Sequence, residues 1–362
     1  MSKSIGVATS SAYVGIHKWV KFWLCVGLFM VVMQVVIGGI TRLTGSGLSI
    51  TKWEIVIGTL PPTSGAAWEE AFDLYKETPQ YKKINDGMSM SEFKFIYFWE
   101  YFHRLWARSM GFVFALPFFF FLKRGWLPKP LVRRLGIVIL LAGIVASFGW
   151  IMVASGLVER PWVNAYKLTG HLSLAFLLYS YLLWTVFKVF KPKVRVTNNS
   201  MLKNWSIGIT AVVSIQIILG GIMSGIKAGL FYPTWPDMNG EVIPAIVLHA
   251  QEWNVDNIVN YDTNTFMPAL IQTLHRTTAY ILTIMILYFL KIASSQFTNI
   301  VFKRSVYLLV IMLIIQFLLG VFTLVSCKGS IPVGLGVLHQ AGALALLSFS
   351  LFVNYLLTRK LA

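Results

Sequence analysis

Eight apolar runs divide this chain, and polar stretches of unequal length separate them. The runs fall at about 20–40, 95–122, 134–155, 164–187, 205–226, 266–290, 305–326 and 333–356. Each is near the ~20 residues an α-helix needs to cross a bilayer. Two of the intervening stretches are long, about 41–94 and 227–265, and the rest are short. The pattern predicts an all-α integral membrane protein of eight transmembrane helices. Long loops of this kind tend to carry function, and these two are placed as caps over the ends of the bundle.

The runs themselves repeat. Gln34 to Ile40 of the first run and Gln216 to Ile222 of the fifth share the spacing Gln-x-x-x-Gly-Gly-Ile. Gly149 and Ser155 in the third match Gly320 and Ser326 in the seventh, and His103-Arg104 in the second matches His275-Arg276 in the sixth. His171 in the fourth matches His339 in the eighth. A four-helix unit is thus duplicated. Four is even, so the copies share one orientation, a parallel repeat about the membrane normal. The expected halves are residues 1–195 and 196–362. The glycine pairs are read as points of close helix approach.

Composition agrees and charge adds orientation. The chain has 362 residues, 56% hydrophobic and only 12% charged, about half the charged fraction of a soluble domain. Of 31 lysines and arginines, eighteen lie in the termini and the loops after even-numbered runs, and ten in the loops after odd-numbered runs. The positive-inside rule therefore places both termini in the cytoplasm. Thirteen of the fourteen acidic residues fall in the outward loops. The net charge of +17 is a topology signal plus attraction to anionic membrane lipid; nucleic acid is not needed to explain it. Cys25 and Cys327 sit near opposite ends of their runs, so no disulfide is expected.

The fourteenth acid is Glu100, inside the second run at Glu100-Tyr101-Phe102-His103-Arg104. Charged groups within a span are costly and are functional candidates. Glu100 and His103 are three apart and share a helix face. The four histidines at 103, 171, 275 and 339 are each placed about eight or nine residues from the outer end of a span, roughly 13 Å deep at 1.5 Å per residue. Paired imidazoles on facing helices suit axial ligation of a haem, non-covalently because Cys-x-x-Cys-His is lacking. A hydrogen-bonded packing role or a proton relay are the other readings. His17 and His249 have no repeat partner and are read as solvated. Arg42, Arg104 and Arg276 are candidates for propionate contacts or for interfacial arginines. The halves differ at one telling position: Glu100 corresponds to Gln272. The half that keeps the carboxylate is expected to do chemistry, and the other to hold a permanent redox centre. The alternative is that Glu100 pairs with Arg104 or Arg108.

These residues resemble the haem A synthase family over essentially the whole chain. The matching pieces are Gly38 to Ser49, Trp53 with Pro61-Pro62, Glu100 to Arg104, Gly149-Trp150 through Ser155 to Leu157, Trp235 to Gly240, His275-Arg276 and His339-Gln340. The resemblance implies oxidation of the C8 methyl of haem O to a formyl group, giving haem A for terminal oxidases. It implies that His103 and His171 ligate the substrate haem iron, with Glu100 the catalytic carboxylate, and that His275 and His339 ligate haem b. It further implies the cell inner membrane, haem sites toward the outer face, an unnamed electron acceptor and transient handover from haem O synthase. Some members carry a cysteine pair in the first long loop; this chain has none there. Val145 stands where the second half has Gln316. Two other classes compete: a di-haem b-type quinol-linked cytochrome, and a transporter with a histidine proton relay.

Overall fold

The computed structural model describes residue 13 and residues 15–51, 60–156, 160–191, 199–297 and 299–358, the side chain of Ser155 apart. Trp53, Gly58, Leu157 and the expected boundary at residue 195 lie outside the described residues. The helices in chain order are α1 (Lys18–Leu43), α2 (Gly65–Lys76), α3 (Pro79–Ile84), α4 (Met90–Lys123), α5 (Lys129–Gly156), α6 (Ala165–Phe190), α7 (Ser200–Gly225), α8 (Ala245–Leu248), α9 (Val255–Val259), α10 (Phe266–Ser294), α11 (Ile300–Val325) and α12 (Val333–Thr358). Eight of them are long and apolar enough to span a membrane, and they coincide with the eight apolar runs.

The spans are longer than hydropathy alone draws them, because their ends are polar. Ser89 Oγ accepts from the backbone of Glu92 while the Glu92 carboxylate accepts from the backbone of Ser89, a reciprocal cap that starts α4 five residues before its apolar run. Asn164, Asn199 and Asn299 cap α6, α7 and α11 through their side chains, satisfying first-turn N–H groups that a helix leaves unpaired. His17 does the same for α1 and stacks on Trp126 at 3.7 Å; it is a structural cap rather than a merely solvated residue. Both cysteines are free.

Helices α1, α6, α7 and α12 pack together at the centre. Outside them α4 lies on α1, α5 on α6, α10 on α7, and α11 on both α12 and α10. One continuous apolar core joins these elements, with Leu24, Leu131, Leu182, Leu202 and Val306 at its heart. Polar contacts join the chain's two halves. Arg42 Nη2 donates to the carbonyls of Ser224 and Gly225 at 3.0 and 3.3 Å, occupying acceptors that the last turn of α7 leaves open. Gln340 Nε2 donates to Val35 O at 2.9 Å, and Tyr179 pairs with Ser348 at 2.7 Å.

The glycine pairs do two jobs rather than one. Gly39, Gly221 and Gly225 serve close approach between the halves: a β-carbon at Gly225 would stand 2.6 Å from Cβ and 2.7 Å from Cα of Ala165. Gly225→Val therefore forces α6 and α7 apart. We expect it to cost about 1–3 kcal/mol, read as a lower thermal unfolding midpoint of the purified protein. An unchanged midpoint would mean that α6 and α7 separate freely.

Among the described residues, both long loops carry helices. In the first, α2 lays Phe72 and Tyr75 against Phe93 and Ile96 of α4, and Tyr81 of α3 packs beside them. Tyr75 donates its hydroxyl to Gln80 Oε1 at 3.1 Å, and Gln80 Nε2 donates to Gly45 O at 2.9 Å. Burial pushes the Tyr75 phenol up to about 12, so this donor persists at any physiological pH. In the second, Tyr261 accepts from Ala165 N at 2.9 Å and from Arg160 Nη1 at 2.8 Å, which latches that loop to the start of α6.

Candidate functional site

One glycine beside each histidine makes room for its imidazole, the first of the pair in α1 and α7 and a lone glycine in α5 and α11. A β-carbon at Gly38 would lie 3.1 Å from His103, at Gly149 3.0 Å from His171, at Gly220 3.3 Å from His275, and at Gly320 3.0 Å from His339. Each histidine thus lies close against the backbone of a neighbouring helix, where a side chain would press on the ring. The rings do not start from one helical depth. They lie 13, 6, 9 and 6 residues beyond Met90, Ala165, Phe266 and Val333, because the helix ends are staggered.

A second residue one turn away from each glycine holds the ring. Gln34 Nε2 lies 2.9 Å from His103 Nε2, and Gln216 Nε2 3.2 Å from His275 Nε2. Gln316 Nε2 lies 3.1 Å from His339 Nδ1. All three amides also donate to the backbone carbonyl of the same histidine, at 3.3, 2.9 and 2.9 Å. His171 differs: its Nδ1 faces Val145 O at 3.0 Å. A carbonyl only accepts, so His171 carries its proton on Nδ1 and leaves Nε2 as a lone pair, the form a metal ligand requires. These partners were present in the sequence as Gln-x-x-x-Gly, an i, i+4 pair on one helix face. The chemistry of that spacing becomes visible only when the histidine is seen beside it.

The donor set fits an axially ligated macrocycle. His275 and His339 face each other with ring centroids 6.4 Å apart and planes at 74°. That separation accommodates one metal ion at about 2 Å from a nitrogen of each ring. His275 Nδ1 and the amide oxygens of Gln34, Gln216 and Gln316 are buried without a partner. Buried polar atoms are nearly always satisfied, and unpaired ones gathered around histidines mark a place for a bound group.

Beside each pair, α4 and α10 clamp a long loop with equivalent positions. Glu100 is 3% exposed. Its Oε2 accepts from Ser49 Oγ at 2.7 Å and from Ile50 N at 2.8 Å, and its Oε1 accepts from Arg104 Nη2 at 2.5 Å. The pairing with Arg104 that the sequence left open is therefore present, and it docks the loop that follows α1. In α10, Gln272 Nε2 donates to Tyr232 O at 2.7 Å. Arg276 reaches the carbonyls of Tyr232, Thr234, Pro236 and Asp237 at 2.6–3.3 Å. The same two positions, four apart, hold a loop by a carboxylate in one half and by donors alone in the other. Just outside the span, Asp237 is held below the usual carboxylate range by Thr234, by the Gly240 backbone and by Arg276. Arg42, Arg104 and Arg276 all donate to backbone carbonyls, and Arg42 Nε and Arg276 Nε are buried with no partner.

The fold and these sites define a polytopic all-α membrane protein with one pair of facing histidine-bearing helices in each half. Residues 21–351 match the family model COX15-CtaA, described as cytochrome oxidase assembly protein. The chain belongs to that family. Among its relatives, a protein of Nitrosospira multiformis named "Heme A synthase" is 40% identical over 95% of each chain. Another of that name, from Flavobacterium johnsoniae, is 38% identical over 95% of this chain and 99% of its own. A third, from Paramagnetospirillum magneticum, is 36% identical over the whole of this chain and 99% of its own. Relatives so named make this chain an enzyme, an oxidoreductase in general kind, that works on haem in a membrane.

Proposed function

We infer that this protein is a haem A synthase, oxidising the C8 methyl of haem O to a formyl group in the cell inner membrane. The observation that carries the reading is the unequal pair of histidine sites. One stands beside a buried carboxylate, Glu100; the other stands beside an amide, Gln272. In this reading residues 1–195 bind and oxidise the substrate, with His103 and His171 as its axial ligands. Residues 196–362 hold haem b through His275 and His339. The termini are cytoplasmic, and the clamped loops and both sites lie toward the outer face.

The reaction takes two rounds. In each, two electrons and two protons leave and one water supplies the oxygen: the methyl becomes a hydroxymethyl, and the hydroxymethyl becomes a hydrated aldehyde that loses water. Glu100 stabilises positive charge developing at the methyl or accepts a proton; it stands one turn from His103 on the same helix. His171, with Nδ1 bound to Val145 O, presents Nε2 to the substrate iron. Haem b, when bound, relays electrons to an acceptor. Arg42, Arg104 and Arg276 remain candidates for carboxylate contacts, Arg42 and Arg276 through their unpartnered Nε. Membrane lipid and a transient handover from haem O synthase complete the expected partners.

The test is mass analysis of haem extracted from the purified wild-type protein, made in a host that supplies haem O. Haem A or its hydroxymethyl precursor is expected beside haem b. Haem b alone would overturn the synthase reading in favour of a di-haem b-type cytochrome.

A further inference from the structure

The two halves differ in how their outer helices close. In the second half α10 packs on α11; in the first, among the described residues, α4 and α5 make no comparable packing contact. Side chains explain the difference. Phe317 of α11 meets Tyr280 of α10 at 6.0 Å between ring centroids and Trp235 of the second loop at 6.1 Å. Trp235 Nε1 donates to Tyr280 OH at 3.1 Å. These three aromatics bolt α10, α11 and the loop together. At the positions of Tyr280 and Phe317 the first half carries Arg108 and Ala146.

The replacement of bulk by small residues extends along α5. Leu313 and Phe317 of α11, one turn apart on one face, correspond to Ala142 and Ala146 of α5, and Leu313 is 5% exposed. A β-carbon at Gly143, or at Gly111 on α4, would meet nothing within 4 Å. The outward face of α5 carries Phe148, Ile151 and Trp150 at 37%, 41% and 51% exposure, much as α11 carries Ile314, Leu318 and Phe322. The gap leads to the His103–His171 pair, since Gly149, one turn from Ala146, is the surface on which the His171 ring rests. Consistently, His275 and His339 meet ring to ring, and the first pair makes no such contact.

We propose that the cleft between α4 and α5 is a lateral portal, through which a haem bearing a long isoprenoid chain enters the first histidine site edge-on from the bilayer. Apart from Arg108 and Ser147 the walls are apolar and suit the macrocycle edge, and the chain stays among lipid tails of equal polarity. A substrate must enter and its product must leave, which an open side permits. The second half, bolted by Phe317, retains its haem. This inference rests on the synthase reading for the identity of the substrate.

The test uses the full chain in lipid vesicles loaded with haem O, with uptake followed by difference spectra and haem b retention by transfer to an excess of a soluble apo-haem protein. Ala146→Phe with Ala142→Leu copies the closed half, and we expect uptake into the first site to slow at least tenfold while haem b stays in place. Phe317→Ala opens the closed half, and loss of haem b should quicken at least tenfold. Where the double variant fails to hold haem b, and so has not folded, Ala146→Leu is read instead. Wild-type rates in both the plugged and the opened chain would overturn the portal. Uptake that slows as expected without any haem A forming supports the portal and sinks the synthase reading alone.

Discussion

Glu100→Gln keeps the fold and lowers haem A formation by at least about a hundredfold, the range a positioned acid–base group supplies. The glutamine oxygen still accepts from Ser49 and Ile50, as Glu100 does at 2.7 and 2.8 Å. What it loses is the charge and the acceptor facing Arg104, where the amide presents N–H instead. Glu100→Ala is harsher. It leaves the largely covered Arg104 guanidinium, 14% exposed, without its carboxylate and releases the first loop, at a cost of about 3 kcal/mol. The measurement is mass analysis of extracted haem: haem O accumulates in both variants, and the thermal midpoint falls only in the alanine one. Activity of Glu100→Gln within about threefold of wild type would reduce Glu100 to a loop anchor. Gln272 shows that an amide suffices for anchoring, since it holds the second loop through Tyr232 O.

The second large effect separates the halves. His275→Ala or His339→Ala should take haem b from one per chain to nearly none, because a single remaining imidazole leaves the macrocycle one-sided. His103→Ala and His171→Ala should keep haem b and lose first-site binding. Quantifying extracted haem per chain, beside reduced-minus-oxidised spectra, decides it. Retention of haem b in both second-half variants would remove the assignment of that pair. The facing geometry makes the expectation sharp, with ring centroids at 6.4 Å and the rings seated so that a β-carbon at Gly220 or Gly320 would stand 3.3 or 3.0 Å from them.

Much of this was legible beforehand, for identifiable reasons. The eight spans follow from run length, because a bilayer fixes how many apolar residues a helix needs. The matching of Gln34 with Gln216 and of Gly38 with Gly220 showed two equivalent surfaces, but not what each faces. Sequence separation hid that answer: Gln34 and His103 are 69 residues apart and touch at 2.9 Å. The paired glycines read as one motif and proved to be two devices, since adjacent helical residues point about 100° apart. One therefore faces a histidine within its half, and the next faces the other half of the chain. Val145 carried no signal because its contribution is a backbone carbonyl, which every residue type possesses.

By itself the sequence determined the membrane class, the count of spans, the four histidines and the difference between Glu100 and Gln272. These depend on composition, periodicity and residue identity, which are local quantities. Only the tertiary structure decided that Glu100 and Arg104 dock a loop, that glutamines and one carbonyl hold the rings, and that α4 and α5 stand apart while α10 and α11 close. Those outcomes are set by which surfaces meet. Side-chain volume across a helix interface, such as Phe317 against Ala146, has consequence only once its neighbour is known.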